Sequence, residues 1–290
     1  MPSHHTGLFL WRIGTIILYI DIIKLTTFSY SKPITFHRLL WYSAFIDLWT
    51  TLRQDQIYVL LAAMITGAYR LIDRRHFIAG GLLIDIVVAL KPNLAVWPAM
   101  LLLAGHWRVV LPAIASCLTL HGVAVARYGI DSYAQWLDLV RLRPFADTAG
   151  NSSVSAFLLR LNVSPDLATI GAALILLGVA LWTWRCKPEF LHLSLVALVA
   201  AQLASPVSWP GMTVLLLPFL PLLPWFFHTL TGIIVAGMLA TPSIIVAIPG
   251  LASFFMWPLM IILIRTILLS FNTLYDGAHN TFSMRNPLTR

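Results

Sequence analysis

The chain has 290 residues, 59% of them hydrophobic and only 10% charged, with a mean hydropathy of +0.84. Soluble domains carry roughly a quarter charged residues, so this composition excludes a soluble globular protein and indicates an integral membrane protein. A net charge of +8 raises nucleic acid as a partner, but the 19 Lys and Arg are spread over short loops with no basic stripe interleaved with aromatics, which is the pattern of positive-inside loops.

The amino terminus has no Lys or Arg before its apolar run and no small-residue cleavage site after it, unlike a cleaved signal peptide. Leu8 to Phe28 is long enough to span a bilayer, although it carries Arg12, Asp21 and Lys24, the last two spaced to pair on one helix face. Leu39 to Leu52 contains Asp47 and is too short for a full span, which leaves residues 1–52 as a poorly defined segment.

From Gln56 to Arg70 an apolar run ends in the densest charge cluster, Arg70, Asp73, Arg74, Arg75 and His76, which belongs in the cytoplasm. The chain returns to a second basic turn at His106 to Arg108. The stretch between is too short for two full helices, so it is expected to be a hairpin of two short or half-spanning helices broken at Pro92.

Val109 to Val125 then leads to an extracytoplasmic amphipathic loop, residues 126–166, and Leu167 to Trp184 comes back to the basic Arg185 to Lys187. Further spans are expected over Phe190 to Ala204, Met212 to Phe227, Leu230 to Ile248 and Leu251 to Ser270, with residues 271–290 a cytoplasmic tail. The expectation is a single all-α polytopic membrane domain over 1–290, with about 8 to 10 transmembrane or half-spanning helices.

With every basic turn inside, four polar stretches fall on the opposite face: Arg53 to Gln56, Lys91 to Asn93, Asn151 to Ser153 and Ser205 to Trp209. Polar groups are costly at membrane depth, so four such stretches on one side point to a shared site. Lys91 beside Pro92 reads either as a cation for an anionic group such as phosphate or as a lysine snorkelling to the interface. Arg53 to Gln56 reads either as a solvated helix cap or as donors at a helix start. Asp55 there is a general base only if substrate reaches it.

The loop holding Tyr133, Trp136, Arg141, Arg143 and Asp147 either lies flat at the interface or roofs a cavity, and Ser205 to Pro210 reads as an outer turn or as part of the site. Asn151-Ser152-Ser153 and Asn162-Val163-Ser164 match a glycosylation acceptor pattern too short to weigh. His121, His192 and His228 are isolated and the two cysteines lack a CxxC partner, so no metal site is expected. Phosphate-loop, serine-elbow and dinucleotide motifs do not occur, and no cofactor is expected.

The order of Arg53-Gln54-Asp55-Gln56, Ala79-Gly80-Gly81, Ala89-Leu90-Lys91-Pro92, Trp107-Arg108, Asn151-Ser152-Ser153 with Phe157 to Leu161, and Ser205 to Trp209 with Leu216-Leu217-Pro218 resembles glycosyltransferase family 87. The resemblance covers roughly Phe45 to Trp225 and implies the type C membrane glycosyltransferase architecture, in a multi-pass protein of the bacterial plasma membrane. It implies transfer of a hexose, typically mannose, from a polyprenyl-phosphate donor to a lipid or glycan acceptor at the extracytoplasmic face, among membrane lipids and without nucleic acid.

On this resemblance Arg53, Gln54, Lys91, Asn93, Asn151, Ser152, Ser208 and Trp209 are the candidates for binding donor phosphate and substrate. No catalytic residue is identified. Asp55 and Asp147 are the weak candidates, because the acidic outer loop expected ahead of the Gln-rich stretch is not visible and the chain reads as shortened at its amino terminus. A transporter or lipid flippase, or an inactive family member, are the alternatives, a lysine beside a broken helix being common to substrate-binding transporters.

Overall fold

A computed structural model describes residues 4–28, 35–142, 148, 150–241, 245, 248, 251 and 253–283. Among these the regular elements are all helical. They are α1 (His4–Phe28), α2 (Phe36–Ala44), α3 (Ile46–Arg53), α4 (Tyr58–Asp73), α5 (Phe77–Leu90), α6 (Val96–Leu103), α7 (Trp107–Tyr128), α8 (Asp131–Leu142), α9 (Val154–Arg160), α10 (Pro165–Cys186), α11 (Phe190–Ala204), α12 (Leu230–Leu239) and α13 (Met256–Ser283). Two of them, α7 and α10, are long and apolar enough to cross a membrane.

Exposed apolar side chains line the outer faces, among them Leu118 and Val123 of α7 and Leu174 and Leu177 of α10. Apolar exposure on this scale suits a surface bathed in lipid. By contrast α11 is buried along most of its length and forms part of the core.

Two contacts orient the first helices. Arg12 of α1 reaches Asp55, just before α4, while Arg70 near the far end of α4 donates from Nη2 to the Leu25 carbonyl at 2.9 Å. α1 and α4 therefore run parallel. The i,i+3 pair expected on α1 forms, with Lys24 Nζ 3.9 Å from Asp21 Oδ1.

The basic turns gather at one end. Phe190, at the start of α11, has its ring centre 5.8 Å from that of Tyr69 and 5.6 Å from that of His106, which draws the end of α4 and the turn between α6 and α7 to the start of α11. The break expected at Pro92 is also present. α5 stops at Leu90, a 3₁₀ turn covers Pro92–Ala95, and α6 carries the chain back. Proline disfavours helical backbone in the residue before it, and Lys91 accordingly leaves the helix with φ −143° and ψ 84°. α5 lies close against α7, where a Cβ on Gly81 would collide with the Val109 carbonyl and sit 3.1 Å from Pro112 Cβ.

Several expected elements differ. Met212 to Phe227 is no α-helix but 3₁₀ segments, Pro210–Leu216 and Leu220–Leu222, joined and followed by turns. Pro218, Pro221 and Pro224 each lack an amide proton and clash with a preceding carbonyl, so a continuous α-helix is excluded there. The segment still follows α4 for much of its length, from Gly211 beside Tyr58 to Phe219 beside Tyr69. A 3₁₀ rise of about 2.0 Å per residue, against about 1.5 Å in an α-helix, lets the shorter stretch keep pace with the longer one.

Leu39 to Leu52 is divided between α2 and α3 at an extended Phe45, and α12 ends at Leu239, short of the Ile248 expected. Conversely, α13 continues past Ser270 to Ser283. α8 occupies the segment expected to be amphipathic. Arg143, Asp147 and residues 284–290 lie outside the described residues.

Candidate functional site

At the end opposite the basic turns, three of the four polar stretches are brought together, and local chemistry fixes each one first. Asn151 Oδ1 accepts from Ser153 N at 3.1 Å, an Asx turn, and Ser153 Oγ then caps α9 by accepting from Ala156 N at 3.1 Å. Ser205 to Trp209 is held between α11 and the 3₁₀ segment at Pro210, with Ser205 Oγ donating to the Val207 carbonyl at 2.7 Å.

Asn151 ties these two stretches to each other. Its Nδ2 donates to the Pro206 carbonyl at 2.8 Å, its Oδ1 accepts from Ser208 N at 2.9 Å, and Ser152 N donates to the Ser208 carbonyl at 2.6 Å. The Asn151 amide is thus engaged by protein on both its nitrogen and its oxygen. Trp209 packs its ring against Gly150, where a Cβ would stand 2.9 Å from Cζ3.

Lys91 to Asn93 joins from the hairpin. Asn93 Nδ2 donates to Ser205 Oγ at 3.2 Å, and Lys91 Nζ donates to Tyr58 Oη at 3.3 Å while standing 5.1 Å from the Tyr58 ring centre. No acidic side chain pairs with Lys91 among the described residues. A half-buried ammonium with an aromatic hydroxyl, but no carboxylate, is suited to meet an anion from outside the chain. Tyr58 also borders Gly211, whose Cβ position is 3.3 Å from the Tyr58 ring and 3.5 Å from Thr51 Oγ1.

The remaining stretch is near but separate. Arg53 ends α3 and is exposed, and Gln54 accepts at Oε1 from Gln56 Nε2 at 3.1 Å. Asp55, in left-handed backbone at φ 51°, accepts two hydrogen bonds from Arg12, 2.9 Å from Nε and 3.0 Å from Nη2. Its carboxylate is therefore committed to an ion pair. Asp147, the other weak candidate, lies outside the described residues.

Sequence reasoning leaves several participants unassigned. Tyr58, the partner of Lys91, lies just beyond the Gln-rich stretch, and only that adjacency signals it. Arg160 closes the opposite side of the Asn151 turn, donating to the Asn151 carbonyl at 2.9 Å, the Thr148 carbonyl at 2.7 Å and Ser253 Oγ at 2.6 Å. Thr51, Thr213 and Gln202 hold buried side-chain polar atoms with no partner among the described residues, as does Ser208, already a candidate from the sequence. Asp85 of α5 is buried beside Cys117 of α7, and its position in an apolar helix is its only signal.

Fold and site together define a membrane protein whose polar end carries a cation at a broken helix. The family model of glycosyltransferase family 87 matches residues 2–206, and the chain belongs to that family, which is one of membrane glycosyltransferases. The match begins well before Phe45 and ends at Pro206, short of Ser208 and Trp209. No curated protein and no solved structure matches the chain.

Proposed function

We propose that the chain transfers a hexosyl group, mannosyl by likeness to the family's typical members, from a polyprenyl-phosphate donor to a lipid or glycan acceptor at the extracytoplasmic face of a bacterial plasma membrane. The observation that carries this reading is Lys91, set at the α5 break against Tyr58, with Asn93 turned toward the strap formed by Asn151 and Ser208.

In the reaction the acceptor hydroxyl oxygen bonds to the anomeric carbon, and the bond from that carbon to the phosphate oxygen breaks. Polyprenyl phosphate leaves with the electron pair, and the Lys91 ammonium with the Tyr58 hydroxyl offsets the charge that develops on it. Asn151 and Ser152 act by holding Ser208 and Trp209 in place. Arg53 and Gln54 stand at the edge, where the sugar or its phosphate enters. The acceptor proton requires a base, and Asp55 fills that role only by leaving Arg12.

Membranes containing the chain are expected to move labelled sugar from a polyprenyl-phosphate hexose to extractable lipid or glycan. Lys91→Ala is expected to lower that rate by about a hundredfold or more, and Tyr58→Phe by about tenfold. Wild type and Lys91→Ala both equal to empty membranes would refute the proposal, and donor translocation without transfer would favour the transporter reading.

A further inference from the structure

A second feature lies directly behind the Asn151 turn. Between α9 and the start of α13 is a cavity of about 400 Å³, walled by Phe157, Leu161, Phe254 and Trp257, with Arg160 and Ser253 at its polar corner. Its volume is that of a ligand site, about 300 to 1,000 Å³ in general. Leu161 and Trp257 are 59% and 49% exposed, so part of its rim is apolar surface of the kind that faces lipid.

The polar corner is specific in its chemistry. Ser253 Oγ accepts from Arg160 Nε at 3.2 Å and Nη2 at 2.6 Å, which leaves the hydroxyl its own proton to donate. A guanidinium on the oxygen makes that proton a stronger donor. The corner therefore suits an acceptor oxygen, while Phe157 and Trp257, edge to face at 5.7 Å, suit a hydrocarbon chain. A water-soluble ligand leaves the aromatic walls unexplained, and a plain hydrocarbon leaves the corner unexplained.

We infer that this cavity seats one apolar chain of a glycerolipid, with an ester or phosphate oxygen accepting from Ser253, and that this lipid is the acceptor. The second clause rests on the transfer reading above. The seat adjoins the site, because the Arg160 guanidinium that holds Ser253 also holds the Asn151 carbonyl, and Asn151 holds Ser208. A lipid seated here brings its headgroup to the strap that Lys91 and Asn93 face.

The test uses the full chain in vesicles containing phosphatidylglycerol with a photoactivatable diazirine on its acyl chain, the labelled residues being read by peptide mass spectrometry. Labels are expected on Leu161 and Trp257, and on the less exposed Phe157, at about fivefold the level on Leu174 and Leu177 of α10, which match Leu161 and Trp257 in exposure. Ser253→Phe, which fills the cavity, is expected to bring the first group down to the second. Ser253→Ala, which keeps the space, is expected to lower labelling only about threefold.

Leu161→Trp narrows the rim from an exposed position and gives the same readout should Ser253→Phe fail to fold. Equal labelling of cavity and α10 in wild type overturns the seat, as does labelling indifferent to both filling variants. The two proposals fail separately. Focused labelling in a chain that transfers no sugar keeps the seat and removes the acceptor role, whereas uniform labelling in an active chain removes the seat and leaves the transfer.

Discussion

The two ends of the bundle are joined by different means. At the polar end, segments distant in sequence meet through directional bonds, Asn93 to Ser205 and Asn151 to Pro206 and Ser208. At the basic end most joints are rings, with Phe190 against Tyr69 and His106, beside one directional bond from Arg70 to the Leu25 carbonyl. Rings accept many geometries at similar energy, whereas an amide that serves three backbone groups accepts few. The polar end is thus the one whose shape is specified, as a binding site requires.

Asn151→Ala is the strongest way to break that contrast. It leaves the Ser153 and Ser208 amides and the Pro206 carbonyl unpaired in a buried setting, at a cost of about 3 kcal/mol in stability. Thermal unfolding in detergent measures it, and a loss no larger than that of a surface alanine would mean that water replaces the amide. Gly81→Val attacks packing instead, driving a side chain into the Val109 carbonyl, and is expected to cost about 2 kcal/mol by the same measurement.

Lys91→Met sharpens the comparison, because function and stability should then separate. Removing a half-buried ammonium with no acidic partner among the described residues is expected to raise stability by about 1 kcal/mol while transfer is lost. A melting temperature that falls would make Lys91 a structural residue held by Tyr58.

How much of this is legible in the sequence depends on the distance over which each feature is decided. The α5 break is readable because Pro92 acts on its immediate neighbour, and the common location of the basic turns follows from charge alone. The same proline rule applies to Pro218, Pro221 and Pro224, yet hydropathy over Met212 to Phe227 outweighs it, so a helix is expected where 3₁₀ turns stand.

The role of Asn151 is not readable. Its sequence announces an Asx turn, but that the same amide also reaches Pro206 and Ser208, more than fifty residues on, is fixed only by how α9 and α11 pack. Likewise Asp55 looks available until α1 lays Arg12 beside it.

The smallest effect belongs to the basic end. Burial holds the His106 imidazole below its ordinary pKa, so the native chain favours the neutral ring while the unfolded chain takes up its proton first, near pH 6.5. Stability is therefore undiminished above that value, falls as the pH drops through it, and levels off once the native ring is protonated too. His106→Phe keeps a ring against Phe190 and removes the proton. Melting temperatures at about pH 7.5 and about pH 5.5, on either side of the ordinary histidine value, should then draw closer in the variant than in wild type, with transfer at the far end unchanged. An unaltered gap would show that the joint at Phe190 does not titrate, and that the pH response lies among the remaining ionisable groups.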